Sequence, residues 1–77
     1  MDSFTVYIKQ GCVFCDLVIA ILEFDGKAVN VVDVDQYPEA LDDLKQQGLK
    51  TPPQTYRNGK HIGGYRDLVS YSETSNY

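Results

Sequence analysis

Two short apolar runs, at residues 4–8 and 28–34, are separated by a single helical repeat, and that arrangement limits the folds open to this chain. Thr5-Val6-Tyr7-Ile8 is rich in β-branched and aromatic residues, so residues 4–8 are expected as a strand, and a central one. Leu17, Val18, Ile21, Leu22 and Phe24 recur at helical spacing, which predicts a helix over 13–25. Asp25-Gly26 ends it, the glycine being free to take the left-handed conformation of a helix C-terminus. Residues 28–34 are almost continuously apolar, as in a buried strand of a parallel sheet. Strand, helix and strand in that order make a right-handed βαβ unit.

The second half carries different punctuation. Pro38 suits the first turn of a second helix over 38–47, with Asp35 or Tyr37 at its start and Gly48 after its end. Leu41 and Leu44, with Ala40, are its apolar stripe. Thr51-Pro52-Pro53 fits neither a helix interior nor a central ladder. Residues 54–57 and 60–62 flank Asn58-Gly59, the strongest two-residue hairpin signal. After Gly63-Gly64, Leu68 and Val69 mark a short helix over 65–71, and residues 72–77 are polar and expected to fray. The order is β-α-β-α-β-β-α, an α/β fold with thioredoxin-like architecture: a four-stranded mixed sheet with helices on both faces. One domain covering residues 1–77 is expected.

Composition excludes several function classes. The net charge is −4 and the seven cations are scattered, so there is no basic stripe for nucleic acid. No apolar run approaches the roughly 20 residues of a membrane span. Residues 1–4 have neither the basic start nor the apolar stretch of a signal peptide. A cytoplasmic monomer is the expectation, in the host cytoplasm if the chain is viral.

Both cysteines lie in Gly11-Cys12-Val13-Phe14-Cys15, between the first strand and the first helix. A disulfide closing so short a loop contributes only about 2 kcal/mol in the chain-entropy model, so a structural staple is a poor explanation. Half of a zinc site is another reading of the pair. Zinc wants four ligands, however, and His61 is the only strong extra one; no metal is expected. At a helix start, unpaired N–H groups and the positive dipole end favour a thiolate at Cys12, with Lys9 adding a cation. The Cys12 thiol is therefore expected to ionise more readily than a free one. Cys15 follows nearly one turn later on the same face. Cys12 is the candidate nucleophile and Cys15 the candidate resolving thiol. Val13 and Phe14 form an apolar lip around them.

With Val6-Tyr7-Ile8-Lys9 before the cysteine pair, Thr51-Pro52-Pro53-Gln54 and the stretch Asn58-Gly59-Lys60-His61-Ile62-Gly63-Gly64-Tyr65-Arg66-Asp67-Leu68, the chain resembles the glutaredoxins over essentially its whole length. The resemblance implies a small thiol-disulfide oxidoreductase that reduces protein disulfides and glutathione mixed disulfides, with glutathione as co-substrate. Several members supply electrons to ribonucleotide reductase. It further implies that Pro53 is a cis-proline facing the cysteines. Gly63 and Gly64, with the N–H groups of Tyr65, Arg66 and Asp67, would hold the γ-glutamyl carboxylate. Lys9 would face the other carboxylate of glutathione. Phe14, Thr51 and Pro52 complete the implied glutathione site.

Three positions depart from the pattern. Val13 replaces a customary proline after the first cysteine, which should alter redox poise. Pro52 replaces a valine whose backbone N–H and C=O both bond the cysteine of glutathione. Proline has no N–H, and one lost bond is worth roughly 0.5–1.5 kcal/mol, or up to about tenfold in affinity. Arg66 stands where many relatives carry an acid; it would help hold the carboxylate or pair with Asp67. Thr55 and Arg57 also make the third strand unusually polar, and a looser core is expected there. The stretch at residues 34–40 and Gly64-Tyr65-Arg66 resemble the redoxins dedicated to ribonucleotide reductase, which draw electrons from thioredoxin reductase instead. A third reading is a cluster-carrying module in which Cys12 and glutathione share an iron–sulfur centre between two chains. His61, Tyr7 and Tyr56 read as sheet residues. Asp33, Asp35, Asp42 and Asp43 read as a solvated acidic rim.

Overall fold

A computed structural model describes residues 2–74. The elements are β1 (Phe4–Ile8), α1 (Val13–Phe24), β2 (Val29–Asp33), α2 (Pro38–Gln46), β3 (Gln54–Arg57), β4 (Lys60–Gly63) and α3 (Tyr65–Thr74). The four strands form one sheet in the order β2-β1-β3-β4. β1 pairs in parallel with β2, Val6 beside Val31 and Ile8 beside Asp33. It pairs antiparallel with β3 on its other side, Val6 beside Thr55. β3 and β4 form the hairpin around Asn58-Gly59, with an irregularity between Thr55 and Tyr56.

Alternation along β1 divides the core into two layers. Phe4 and Val6 point to one face and are fully buried with Val18 and Leu22 of α1 and Leu68 of α3. Tyr7 points to the other face and packs with Val34, Ala40 and Leu44, which belong to α2 and the segment before it. The two clusters anchor α1 and α3 on one side of the sheet and α2 on the other.

Helix ends follow local chemistry. α1 stops at Phe24, one residue short of expectation, because Asp25 is its C-cap. Gly26 N–H then donates to Glu23 O at 3.0 Å and Lys27 N–H to Leu22 O at 2.9 Å, the paired closure of a Schellman motif. Gly48 and Leu49 close α2 in the same way, onto Lys45 O and Leu44 O. Tyr37, one of the two expected starts, is the N-cap of α2, and its side chain makes no capping bond.

Three expectations need correction. Residues 28–34 were expected as a strand buried on both faces, but β2 is an edge strand and Val31 is 48% exposed. An edge strand has a ladder on one side only, and the crossing helices shield its faces incompletely. Residues 72–74, expected to fray, extend α3. Ser72 Oγ donates to Val69 O and Thr74 Oγ1 to Ser70 O, so the polar side chains bond back into the helix. The remainder of that expectation, residues 75–77, lies outside the described residues. The third strand is not uniformly loose. Arg57 donates to Tyr71 Oη at 2.7 Å and pairs with Asp2, tying α3 and the chain start to β3. The polar cost sits at Thr55, fully buried with an Oγ1 that has no hydrogen-bond partner.

Candidate active site

The sequence places Cys12 where β1 has ended and α1 begins. Cys12 is the N-cap of α1, in an extended conformation, and its Sγ accepts a hydrogen bond from Cys15 N–H at 3.1 Å. One of the helix's unpaired donors thus points at the sulfur. The two cysteines are joined as a disulfide, with Cα atoms 5.2 Å apart. Their environments differ: Cys15, on the core-facing side of α1, is 1% exposed, while Cys12 is partly open to solvent. An incoming sulfur therefore has access to Cys12 and not to Cys15.

The Pro52-Pro53 peptide is cis. Pro53 lies beside the start of α3, where a Cβ added to Gly64 would sit 3.5 Å from Pro53 O. A groove of about 370 Å³ runs between these parts, lined by Phe14, Thr51, Pro52, Pro53, Gly64, Tyr65, Arg66 and Asp67. Within this lining the Phe14 ring stands 5.2 Å from that of Tyr65. The fold therefore gathers seven of the nine residues expected in a ligand site, together with Pro53. Lys9, which is exposed, and Gly63, which is buried, are not among the residues lining this groove.

Gly63 has a structural reason of its own. Its φ is +132°, and a Cβ there would overlap Asp67, 2.7 Å from both Cβ and Cγ. Asp67 is drawn in because its Oδ2 accepts the Gly64 N–H at 3.1 Å, the N3-to-N-cap half of a capping box. Arg66 is exposed and forms no ion pair with Asp67. This end of the groove carries the Arg66 guanidinium and the N–H groups of the first turn of α3, with the Asp67 carboxylate beside them already holding Gly64 N–H.

Two residues read as a solvated acidic rim hold the cysteine loop instead. Asp35 Oδ2 accepts the Gln10 backbone N–H at 2.8 Å, and Asp33 Oδ2 accepts the Gln10 side-chain amide. Asp33 Oδ1 also accepts Asp35 N–H at 2.8 Å, fixing the pair. The register explains it: parallel pairing sets Asp33 beside Ile8, level with the start of that loop. His61 is an exposed residue of the edge strand, 2.7 Å from Gln54 Oε1. Tyr7 and Tyr56 meet edge to face at 5.5 Å. Burial raises the Tyr56 hydroxyl above its ordinary pKa, with Tyr7 adding to the rise and the bond to Gln47 opposing it. Among the described residues, no three His, Cys, Asp or Glu side chains converge as a metal site, and no helix is long and apolar enough to cross a membrane.

The sequence model of the glutaredoxin family matches residues 4–62. A glutaredoxin of Neisseria meningitidis is 30% identical over 70 residues, covering 88% of this chain and 82% of that protein. The glutaredoxin-like protein NrdH of Salmonella typhimurium is 31% identical over 69 residues, covering 88% and 85%. The chain also matches the hybrid peroxiredoxin hyPrx5 of Haemophilus influenzae at 30% identity, spanning only 29% of its length. Among solved structures, the buckwheat glutaredoxin–glutathione complex superposes with a TM-score of 0.82 at 25% identity, covering 94% of this chain and 69% of that one.

Proposed function

The chain belongs to the glutaredoxin family, and on that premise we propose that it is a dithiol disulfide reductase recharged by glutathione. The observation that carries this reading is the groove between Phe14, the cis-proline and the start of α3. Its volume of about 370 Å³, with the Arg66 guanidinium and the helix N–H groups in its lining, suits a tripeptide thiol with a carboxylate at its head.

The reaction runs on the two cysteines alone. In the reduced protein, Cys12 Sγ attacks a client disulfide as a thiolate. A Cys12–client bond forms, the client's S–S bond breaks, and one client sulfur leaves as a thiolate that takes a proton. Cys15 then loses its proton and attacks Cys12 Sγ, releasing the second client thiol and closing the Cys12–Cys15 disulfide. One glutathione thiolate opens that disulfide at Cys12, and a second removes the first as glutathione disulfide. Two electrons thus pass from two glutathiones to one client disulfide. Donors of the first turn of α1 stabilise each departing or attacking Cys12 thiolate. The first turn of α3, with Arg66, receives the γ-glutamyl carboxylate. In this reading Pro53, whose peptide bond is cis, faces the reacting sulfurs, and Pro52 offers its C=O alone to the glutathione backbone. Ribonucleotide reductase is a fitting client, and the cytoplasm a fitting location.

The test is turnover of hydroxyethyl disulfide in a glutathione and glutathione reductase couple. Cys12→Ser should abolish it, and Cys15→Ser should retain part of the activity on glutathione mixed disulfides. Full activity in Cys12→Ser would refute the reading. Pro52 favours a second reading, because it cannot donate the backbone bond that a bound glutathione would use. On that reading thioredoxin reductase recharges the pair, and a preference for that enzyme over glutathione identifies it.

A further inference from the structure

α1 has two apolar faces. Cys15, Val18 and Leu22 face the core. On the opposite side Val13, Leu17, Ala20 and Phe24 form a second row, exposed to solvent, with Val13 68%, Leu17 40% and Phe24 91% exposed. Their 4-3-4 spacing is that of a coiled-coil seam and makes a straight strip about 16 Å long. One edge of the strip carries Asp16 and Glu23, both exposed, and the helix has no basic residue. The other edge carries Phe14 and Ile21.

From this placement we infer that α1 docks an amphipathic helix of the client protein, apolar along its seam and carrying Lys or Arg along one edge. The seam begins at Val13, directly after Cys12, so a helix lying on it ends at the disulfide. The spacing selects a helix as the occupant. The acidic row selects a basic one, since charges beside such a seam decide partner and orientation. The same row opposes a second copy: two α1 helices packed antiparallel would set Asp16 and Glu23 against their own counterparts. A strip this short gives weak, quickly reversible binding, as a reductase that must release its product requires. Only the identity of the occupant as a client rests on the function proposed above.

The test uses two helical peptides with leucine along the seam and a glutathione mixed disulfide at one end. One carries lysine and the other glutamate along the flanking edge. The lysine peptide should be reduced with kcat/KM about tenfold above the glutamate peptide, a difference of about 1.4 kcal/mol in transition-state binding. Glu23→Lys should erase or reverse that preference, and Phe24→Ser should raise KM for the lysine peptide several-fold. Neither change should alter turnover of hydroxyethyl disulfide. Equal rates for the two peptides, or no effect of Phe24→Ser, would overturn the inference. So would a concentration-dependent dimer abolished by Phe24→Ser, which would assign the strip to a second copy. A serine-ended form of the lysine peptide, titrated by NMR, should shift the amides of α1 even if all redox turnover fails. That separates failure of the docking surface from failure of the proposed chemistry.

Discussion

Single residues carry the site's geometry, and two make sharp predictions. Gly63 combines a φ of +132° with a space already filled by Asp67. Gly63→Ala should cost about 2 kcal/mol or more, through backbone strain and displacement of Asp67 from Gly64 N–H. In a domain this small that lowers Tm by on the order of 10 °C, which thermal unfolding by circular dichroism would detect. Thr55 is the opposite case. Its buried Oγ1 has no partner, so Thr55→Val removes an unsatisfied polar atom at almost constant shape. Stability should rise by about 1 kcal/mol, seen as a higher denaturant midpoint with unchanged slope. Neither property was legible in the sequence. Thr55 read only as a polar strand residue, and its enclosure depends on Leu68 and α1 arriving over the same face.

At the scale of elements, the strands and helices were legible because apolar spacing and turn chemistry agreed. Asn58-Gly59 made the hairpin, and the glycines after α1 and α2 made their closures. What spacing could not tell was lateral order in the sheet. The apolar run of β2 looked buried on both faces, yet it became an edge that holds the neighbouring loop with Asp33 and Asp35. Asp35→Ala should therefore cost about 1 kcal/mol, while Asp42→Ala, at an exposed position of α2, should be near neutral; equal effects in urea unfolding would contradict the clamp. The start of the chain is tied down similarly. The Arg57 guanidinium, and next the Asn58 amide, hold the Asp2 carboxyl below its ordinary pKa of 3.8. The folded state therefore binds this proton more weakly than the unfolded chain does. The stabilisation is present above the unfolded pKa and is lost as pH falls through the folded one. Asp2→Asn should lower stability at neutral pH and have no effect in strong acid, as paired denaturation curves would show.

The whole molecule is an acidic domain, net −4, in which the groove opens beside an exposed arginine. On the proposed function an anionic thiol would enter at the Arg66 end of that groove, while the acidic row along α1 faces outward. The cysteine pair and its redox chemistry were legible from its place between strand and helix. The cis-proline and the groove were legible only through family resemblance, because they join residues 14, 51–53 and 64–67, which no local pattern connects. Lys9, which the resemblance sets against the other carboxylate of glutathione, is exposed and is not among the residues lining this groove. We propose that glutathione recharges Cys12 and Cys15. The most direct measurement compares, on one oxidised sample, reduction by glutathione with glutathione reductase against reduction by thioredoxin reductase. Reduction should be faster in the glutathione system and slowed by Arg66→Glu. Rapid reduction by thioredoxin reductase with no glutathione-dependent rate would contradict it.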